Sequence, residues 1–217
     1  MVRPAQHGDA ELEGCGADLA NREKSPYEFQ VIRDERISFR GRVFEISELD
    51  VREMGISKTF ERVRRAPGVR AIVRNAAGDV LLTREWRHEL GRVDLRLPGG
   101  KVFDTLDEYR LCKGTDESLQ SAASAAARRE LREEAGIEAR SVQFLHRSVC
   151  GATVEWDLYY FLAHDWRDAV DGPAPEPGED ITVSWMTQQE TIAACLDGAV
   201  SEERSALVLL RLLLPER

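Results

Sequence analysis

The 217-residue chain is poor in cysteine, has no long apolar run and carries no excess of positive charge, and each shortage removes a class of protein. Its four cysteines, Cys15, Cys112, Cys150 and Cys195, are scattered, with no CxxC pair and no clustered histidines to complete a zinc site. Reduced thiols in a cytoplasmic protein are the expectation. The longest apolar stretch, Leu207 to Leu214, is broken by Arg211 and falls far short of the roughly 20 residues that span a bilayer. A packed amphipathic helix is expected there, and no membrane partner. Residues 1–27 lack the apolar core of a secretory signal and read as a flexible polar tail. With 30 Lys+Arg against 39 Asp+Glu, the net charge of −9 argues against wrapping around DNA or RNA. A small anionic substrate remains open if a metal cation reverses the local field. At 42% apolar and 32% charged residues, the composition is that of a soluble globular protein, and the length suits one domain plus an appendage.

Turn and periodicity signals give the organisation. Arg36–Phe39 and Val43–Val51 flank the turn-like Arg40-Gly41-Arg42 and read as a hairpin, with Thr59–Arg64 continuing strand-like. Pro67-Gly68 punctuates, and residues 69–84 read as a second hairpin around the turn at Asn75–Gly78. Ser118 to Ala135 is alanine-rich without glycine or proline, and Gly136 is placed as a left-handed C-terminal cap, so a helix is expected. Strands at Val142–Val149 and Leu158–Ala163, a proline-rich loop over Asp171–Asp180, a strand at Ile181–Trp185 and a closing helical region from Gln188 to Leu214 follow. Strands first and helices interspersed imply an α/β or α+β fold around one mixed sheet.

The segment Arg129 to Ile137 carries the chemistry. At about 100° per residue, Glu130, Glu133 and Glu134 share one arc of the helix while Leu131 and Ala135 point beside them toward a core. Like charges at these spacings oppose the helix by roughly 0.2–0.5 kcal/mol per pair. Either solvent and Arg128, Arg129 and Arg132 neutralise them, or they hold a hard divalent cation, which takes oxygen ligands. Spacing alone leaves both readings open.

The whole string resembles the Nudix hydrolase family, whose box reads G-x5-E-x7-R-E-U-x-E-E-x-G-U with U aliphatic. Its second half is matched at every specified position from Arg129 to Ile137. The resemblance extends to Leu97-Pro98-Gly99-Gly100-Lys101, to Gly78-Asp79-Val80-Leu81-Leu82 with Arg87 after it, and to Asp197-Gly198-Ala199-Val200. It is most similar to the branch that cleaves ADP-ribose and nucleotide sugars. That implies an α/β/α sandwich over residues 66–217, and an N-terminal antiparallel hairpin region, 28–65, that forms a homodimer.

The resemblance also implies roles. Glu130, Glu133, Glu134 and the Gly100 carbonyl would hold Mg²⁺ or Mn²⁺, with Glu133 and Glu134 catalytic and Arg129 orienting the carboxylates. Glu155 is the expected proton acceptor, with Glu179 and Asp180 as weaker alternatives. Arg87 would meet substrate phosphate and Trp86 could stack on a base. The implied reaction is metal-dependent cleavage of the pyrophosphate bond in a nucleoside diphosphate linked to another group. The competing reading is a non-catalytic ligand-sensing module of the same fold.

The first half of the box departs from the pattern. Between Gly100 and Arg129 lie 28 residues where the pattern has 13, and the first glutamate falls on Ser121. The inserted stretch Phe103–Gln120 holds Asp104, Asp107, Glu108, Asp116 and Glu117, any of which could replace the missing carboxylate. It could equally be a substrate-shaping loop. Its apolar anchors suggest a short helix over Asp104–Leu111.

Overall fold

The computed structural model describes residues 29–112, 115–175 and 180–215. The expected tail over 1–27, Cys15 and the candidate Glu179 lie outside the described residues. In chain order the elements are β1 (Phe29–Arg40), β2 (Phe44–Glu53), β3 (Ile56–Arg65), β4 (Gly68–Ile72), β5 (Val80–Arg87), β6 (Arg92–Arg96) and α1 (Leu106–Cys112). There follow α2 (Asp116–Ala135), β7 (Ile137–Ser148), β8 (Val154–Glu155), β9 (Leu158–Asp168), β10 (Ile181–Met186), α3 (Gln188–Leu196) and α4 (Glu203–Leu213).

Alternation along the central strands splits the core into two layers. Val69, Ala71 and Val73 with Tyr159, Phe161 and Ala163 face α2, whereas Ile72, Leu158 and Tyr160 face α3 and α4 through Ala194, Val208 and Leu209. Two helical layers therefore cover a β layer, the α/β/α sandwich that the resemblance implies. The α2 face turned to the strands is small, with Ala123, Ala126 and Ala127 almost fully buried between Leu119 and Leu131, so helix and strands approach closely. Thr115 caps α2 through the Ser118 N–H in a capping box, and Gly136 ends it at φ 63°. No described helix is long and apolar enough to cross a membrane.

The single mixed sheet expected from sequence is instead three hydrogen-bonded sheets, ordered β1-β2-β3-β8, β10-β5-β6 and β4-β9-β7. The second predicted hairpin does not form as a strand pair either. Its turn forms, with the Asn75 side chain accepting from the Ala77 and Asp79 N–H groups, but pairing stops after the Arg74–Val80 bridge. All five residues of β4 are buried, and β4 runs parallel to β9 at the edge of its sheet, its other side covered by the Pro98–Lys101 turn, while β5 leaves to pair with β6 and β10. The closing helical region is likewise two helices, parted at 197–202 where Gly198 adopts φ 79°.

The N-terminal strands form an antiparallel meander whose second turn uses Met54 and Gly55, both at positive φ. Parallel pairing of β8 with β3 joins this meander to the rest. The inserted segment holds α1, two residues from the expected start, and α1 packs Tyr109 into the core against Phe103. Its Arg110 pairs with Glu45 of β2, a carboxylate with no exposed surface that Arg64 also contacts at 3.3 Å.

Candidate active site

The last turns of α2 and the turn after β6 build the site between them. Gly99 donates its N–H to Glu134 Oε2 at 2.8 Å, and Arg129 Nη2 donates to the Lys101 carbonyl at 2.9 Å and to Glu130 Oε1 at 3.0 Å. Arg129 Nε also lies 3.8 Å from Glu133 Oε2. Glu134, Glu130 and Arg129 thus meet the turn Gly99-Gly100-Lys101, and Glu133 lies beside Arg129. Both glycines are required by contact. A Cβ on Gly99 would sit 2.1 Å from the Val69 carbonyl oxygen, and one on Gly100 would sit 2.6 Å from both Glu130 oxygens. The turn is anchored to β4 by the Val69 N–H on the Gly100 carbonyl at 3.0 Å and the Ala71 N–H on the Pro98 carbonyl at 2.9 Å.

The donor chemistry suits a hard divalent cation: carboxylate oxygens beside a backbone turn, with a cradle at Gly100 that a side chain would fill. Among the described residues no three acidic, histidine or cysteine side chains converge as they stand on one metal position. Glu130 and Glu134 are turned onto protein donors, so holding an ion requires their terminal torsions to turn.

Beside the glycine turn opens a recess of about 230 Å³ lined by Arg65, Arg70, Arg87, Arg96, Lys101 and Trp156. Arg87, expected to meet substrate phosphate, is one of the residues that line it. Trp86, next to it on β5, is half exposed and absent from this lining, since successive strand residues face opposite sides. The aromatic ring at the recess is Trp156, which sequence reading missed, with the Arg65 and Arg204 guanidinium carbons 4.7 and 4.5 Å from its centroid. Arg70 and Arg96 were missed too; Arg70 is a lone charge within the apolar strand β4, a signal available in the sequence, whereas Arg96 shares β6 with Arg92 and Asp94 and carries no such signal. Arg70 is held by Glu202 at 2.9 Å. Burial, then the charge of Arg70, lowers the pKa values of both Arg65 and Arg96 from the ordinary arginine value.

Glu155 lines a second recess, of about 370 Å³, and Pro67 borders both. Its carboxylate accepts from Arg64 Nε at 3.1 Å and from the Tyr109 hydroxyl at 3.1 Å. Burial first, then the Glu155 charge, pushes the Tyr109 hydroxyl up, so it stays protonated and donates. Ser121 is exposed nine residues before Glu130, about 13 Å along the helix axis. The inserted acids find other partners: Asp107 pairs with Arg110, Glu108 accepts from the Asp104 N–H, and Asp116 pairs with Arg147. Asp180 is exposed beside β10.

A family model described as NUDIX domain matches residues 64–205. Among solved structures, that of an ADP compounds hydrolase superposes with a TM-score of 0.65 at 20% sequence identity, covering 87% of this chain and 95% of that one. No curated protein matches by sequence.

Proposed function

We propose, for a chain that belongs to the Nudix family and is a Nudix hydrolase, that it cleaves the pyrophosphate bond of a nucleoside diphosphate linked to a second group, with Mg²⁺ or Mn²⁺ as cofactor. ADP-ribose and nucleotide sugars are the substrate classes put forward, and the similarity to the ADP compounds hydrolase fold supports this choice. One observation supports the reading: Glu130 and Glu134 fold onto the Gly99–Lys101 turn at the edge of a recess lined, among the described residues, by five cationic side chains and no acid.

Glu130, Glu133, Glu134 and the Gly100 carbonyl would hold the cation. When bound, a divalent ion neutralises charge that builds on the phosphoryl oxygens. The chain itself supplies orientation and proton transfer. Arg129 fixes Glu130 against the turn, and the Gly99 N–H fixes Glu134. Arg87, already bridged to Glu85 and Glu89, presents a planar guanidinium to phosphate oxygens. Glu133 has the more exposed carboxylate, 38% against 13% for Glu130, and is assigned as the group that takes the proton from attacking water. Glu155, expected in that role, is engaged by Tyr109 and Arg64 in the neighbouring recess and is assigned to holding the inserted segment. The N-terminal meander, with Ile37, Phe39, Phe44, Ile56 and Phe60 exposed, is proposed as the homodimer surface.

The test is product analysis. Purified protein with Mg²⁺ is incubated with ADP-ribose, nucleotide sugars, dinucleotides and nucleoside triphosphates. A nucleoside monophosphate plus a phosphorylated partner is expected from the first two classes, and Glu134→Gln should lower turnover by orders of magnitude without unfolding the chain. Tight binding of these compounds without cleavage would favour the ligand-sensing alternative.

A further inference from the structure

We infer that the cationic recess recognises a phosphate on the leaving group, beyond the diphosphate that is cleaved, and that Arg65 selects for it; this rests on the hydrolase reading above. The lining is unbalanced. Arg70 is matched by Glu202 at 2.9 Å, and Arg87 by Glu85 and Glu89. Arg96 is only loosely served, 3.8 Å from Asp94 and 3.9 Å from Glu85. Among the described residues no acid lies within ion-pair distance of Arg65, which instead stacks on Trp156. Lys101 lines the same space with no ion pair among the described residues.

A partly buried cation without a counter-charge loses hydration and gains nothing from the protein in return, so it destabilises the fold unless an anion arrives. The lowered pKa values of Arg65 and Arg96 reflect that strain, with burial its first cause and the charge of Arg70 its second. Size narrows the anion. At about 230 Å³ the recess lies below the roughly 300 Å³ at which sites for whole small molecules begin, a size that suits a phosphoryl group better than a nucleoside. Arg87, with the cation that Glu130, Glu133 and Glu134 would hold, already answers the charge of a diphosphate. Arg65 and Lys101 are surplus to it, and the stack on Trp156 holds the Arg65 plane in place for paired hydrogen bonds to a tetrahedral anion. The substrate so described is a nucleoside diphosphate joined to a group that itself carries a phosphate ester.

Two measurements on the full chain test this. In the first, inorganic phosphate is titrated into metal-free protein by calorimetry. Wild type should bind it, and Arg65→Gln should weaken binding on the order of tenfold to a hundredfold, the range for one charge-assisted contact, with Arg65→Lys between them. In the second, kcat/KM is compared for a nucleotide sugar and the same compound bearing a phosphate ester on its sugar. Wild type should prefer the phosphorylated compound by at least about tenfold, and Arg65→Gln should erase the preference. Equal losses on both substrates, or phosphate binding that ignores Arg65, would overturn the inference. Should Arg65→Gln fail to fold, Arg65→Lys carries the same comparison. Phosphate binding requires no turnover, so a protein that binds phosphate through Arg65 yet hydrolyses nothing refutes the hydrolase reading while the recess still reads. Hydrolysis without the phosphate preference refutes the inference alone.

Discussion

Adding one methyl group to each glycine of the site turn should separate folding from activity. At Gly99 the new Cβ meets only backbone: the Val69 carbonyl oxygen at 2.1 Å, its carbon at 2.9 Å and Arg70 Cα at 3.0 Å. Even to reach 3.0 Å, either β4 or the turn must yield by about 0.9 Å, and φ of 155° is disfavoured for a side chain. Overpacking of this kind costs about 1–3 kcal/mol and the backbone conformation a comparable amount, so Gly99→Ala should lose roughly 3–5 kcal/mol. For a chain of this length that is a fall in Tm of roughly 6–20 °C. At Gly100 the contacts are Glu130 Oε1, Oε2 and Cδ at 2.6–2.7 Å, the far end of a flexible side chain. That side chain can swing away for about 0.5–1.5 kcal/mol, so Gly100→Ala should melt within a few degrees of wild type. Its hydrolysis should nonetheless fall by about a hundredfold, because a carboxylate displaced by close to 1 Å no longer meets its geometry. Thermal melts followed by circular dichroism and initial rates on the best substrate read both effects. Full activity in Gly100→Ala with an unchanged melt would refute the assignment of Glu130 to the site.

The proposed homodimer should appear in light scattering at micromolar concentration as twice the monomer mass, and Phe60→Glu, which charges an exposed apolar position of β3, should halve it; a wild-type monomer contradicts the surface. Burial opposes ionisation of Glu202, but the Arg70 charge and the Ser205 hydroxyl hold its carboxyl below its ordinary value of 4.5. The stability this gives is present above about pH 4.5 and lost as pH falls through the lower folded value, so Glu202→Gln should flatten the acid side of the stability curve, and an unchanged slope counts against it. Arg110→Met leaves the fully buried Glu45 to Arg64 and the more distant Arg40, and urea melts should show a loss of about 1.5–3 kcal/mol, partly recovered when Glu45→Gln is added; no loss would mean the inserted helix is not anchored there.

The helix that bears the site was readable because every local signal agreed. Alanine content, the Gly136 cap and the arc of Glu130, Glu133 and Glu134 all follow from helix geometry, which needs no knowledge of the rest of the chain. Strand pairing was less legible because it is decided at a distance. The turn at Asn75–Gly78 formed as its residues demand, yet the burial of β4 on both faces sent its pairing to β9, some 90 residues away. The recess suffered most. Arg65, Arg96 and Trp156 come from three separate parts of the chain, and only the Pro67 and Gly99 turns bring them to one wall. Arg70, the lone charge of the apolar strand β4, is the one residue of this wall that its own segment marks, and sequence does not say which neighbours it will meet.

The inserted segment bears on how the missing box carboxylate is to be understood. Tyr109 and Arg110 are adjacent on α1, yet one reaches Glu155 of β8 and the other Glu45 of β2, and Arg64 of β3 contacts both acids. The helix therefore closes a ring of charge between the N-terminal meander and the domain that bears the box. Of its acids, Asp107, Glu108 and Asp116 have partners within or beside the insertion, on the side of the molecule where α2 begins. The box carboxylates lie at the other end of that 20-residue helix, about 20 Å from its first turn. The insertion leaves the site turn at Phe103 and is tied down by these pairs, so we propose that it serves as a brace. On the inference drawn above, selectivity then falls to the side chains that border the glycine turn, where Arg65 and Lys101 have no acid within ion-pair distance among the described residues and their charge is left for the substrate to answer.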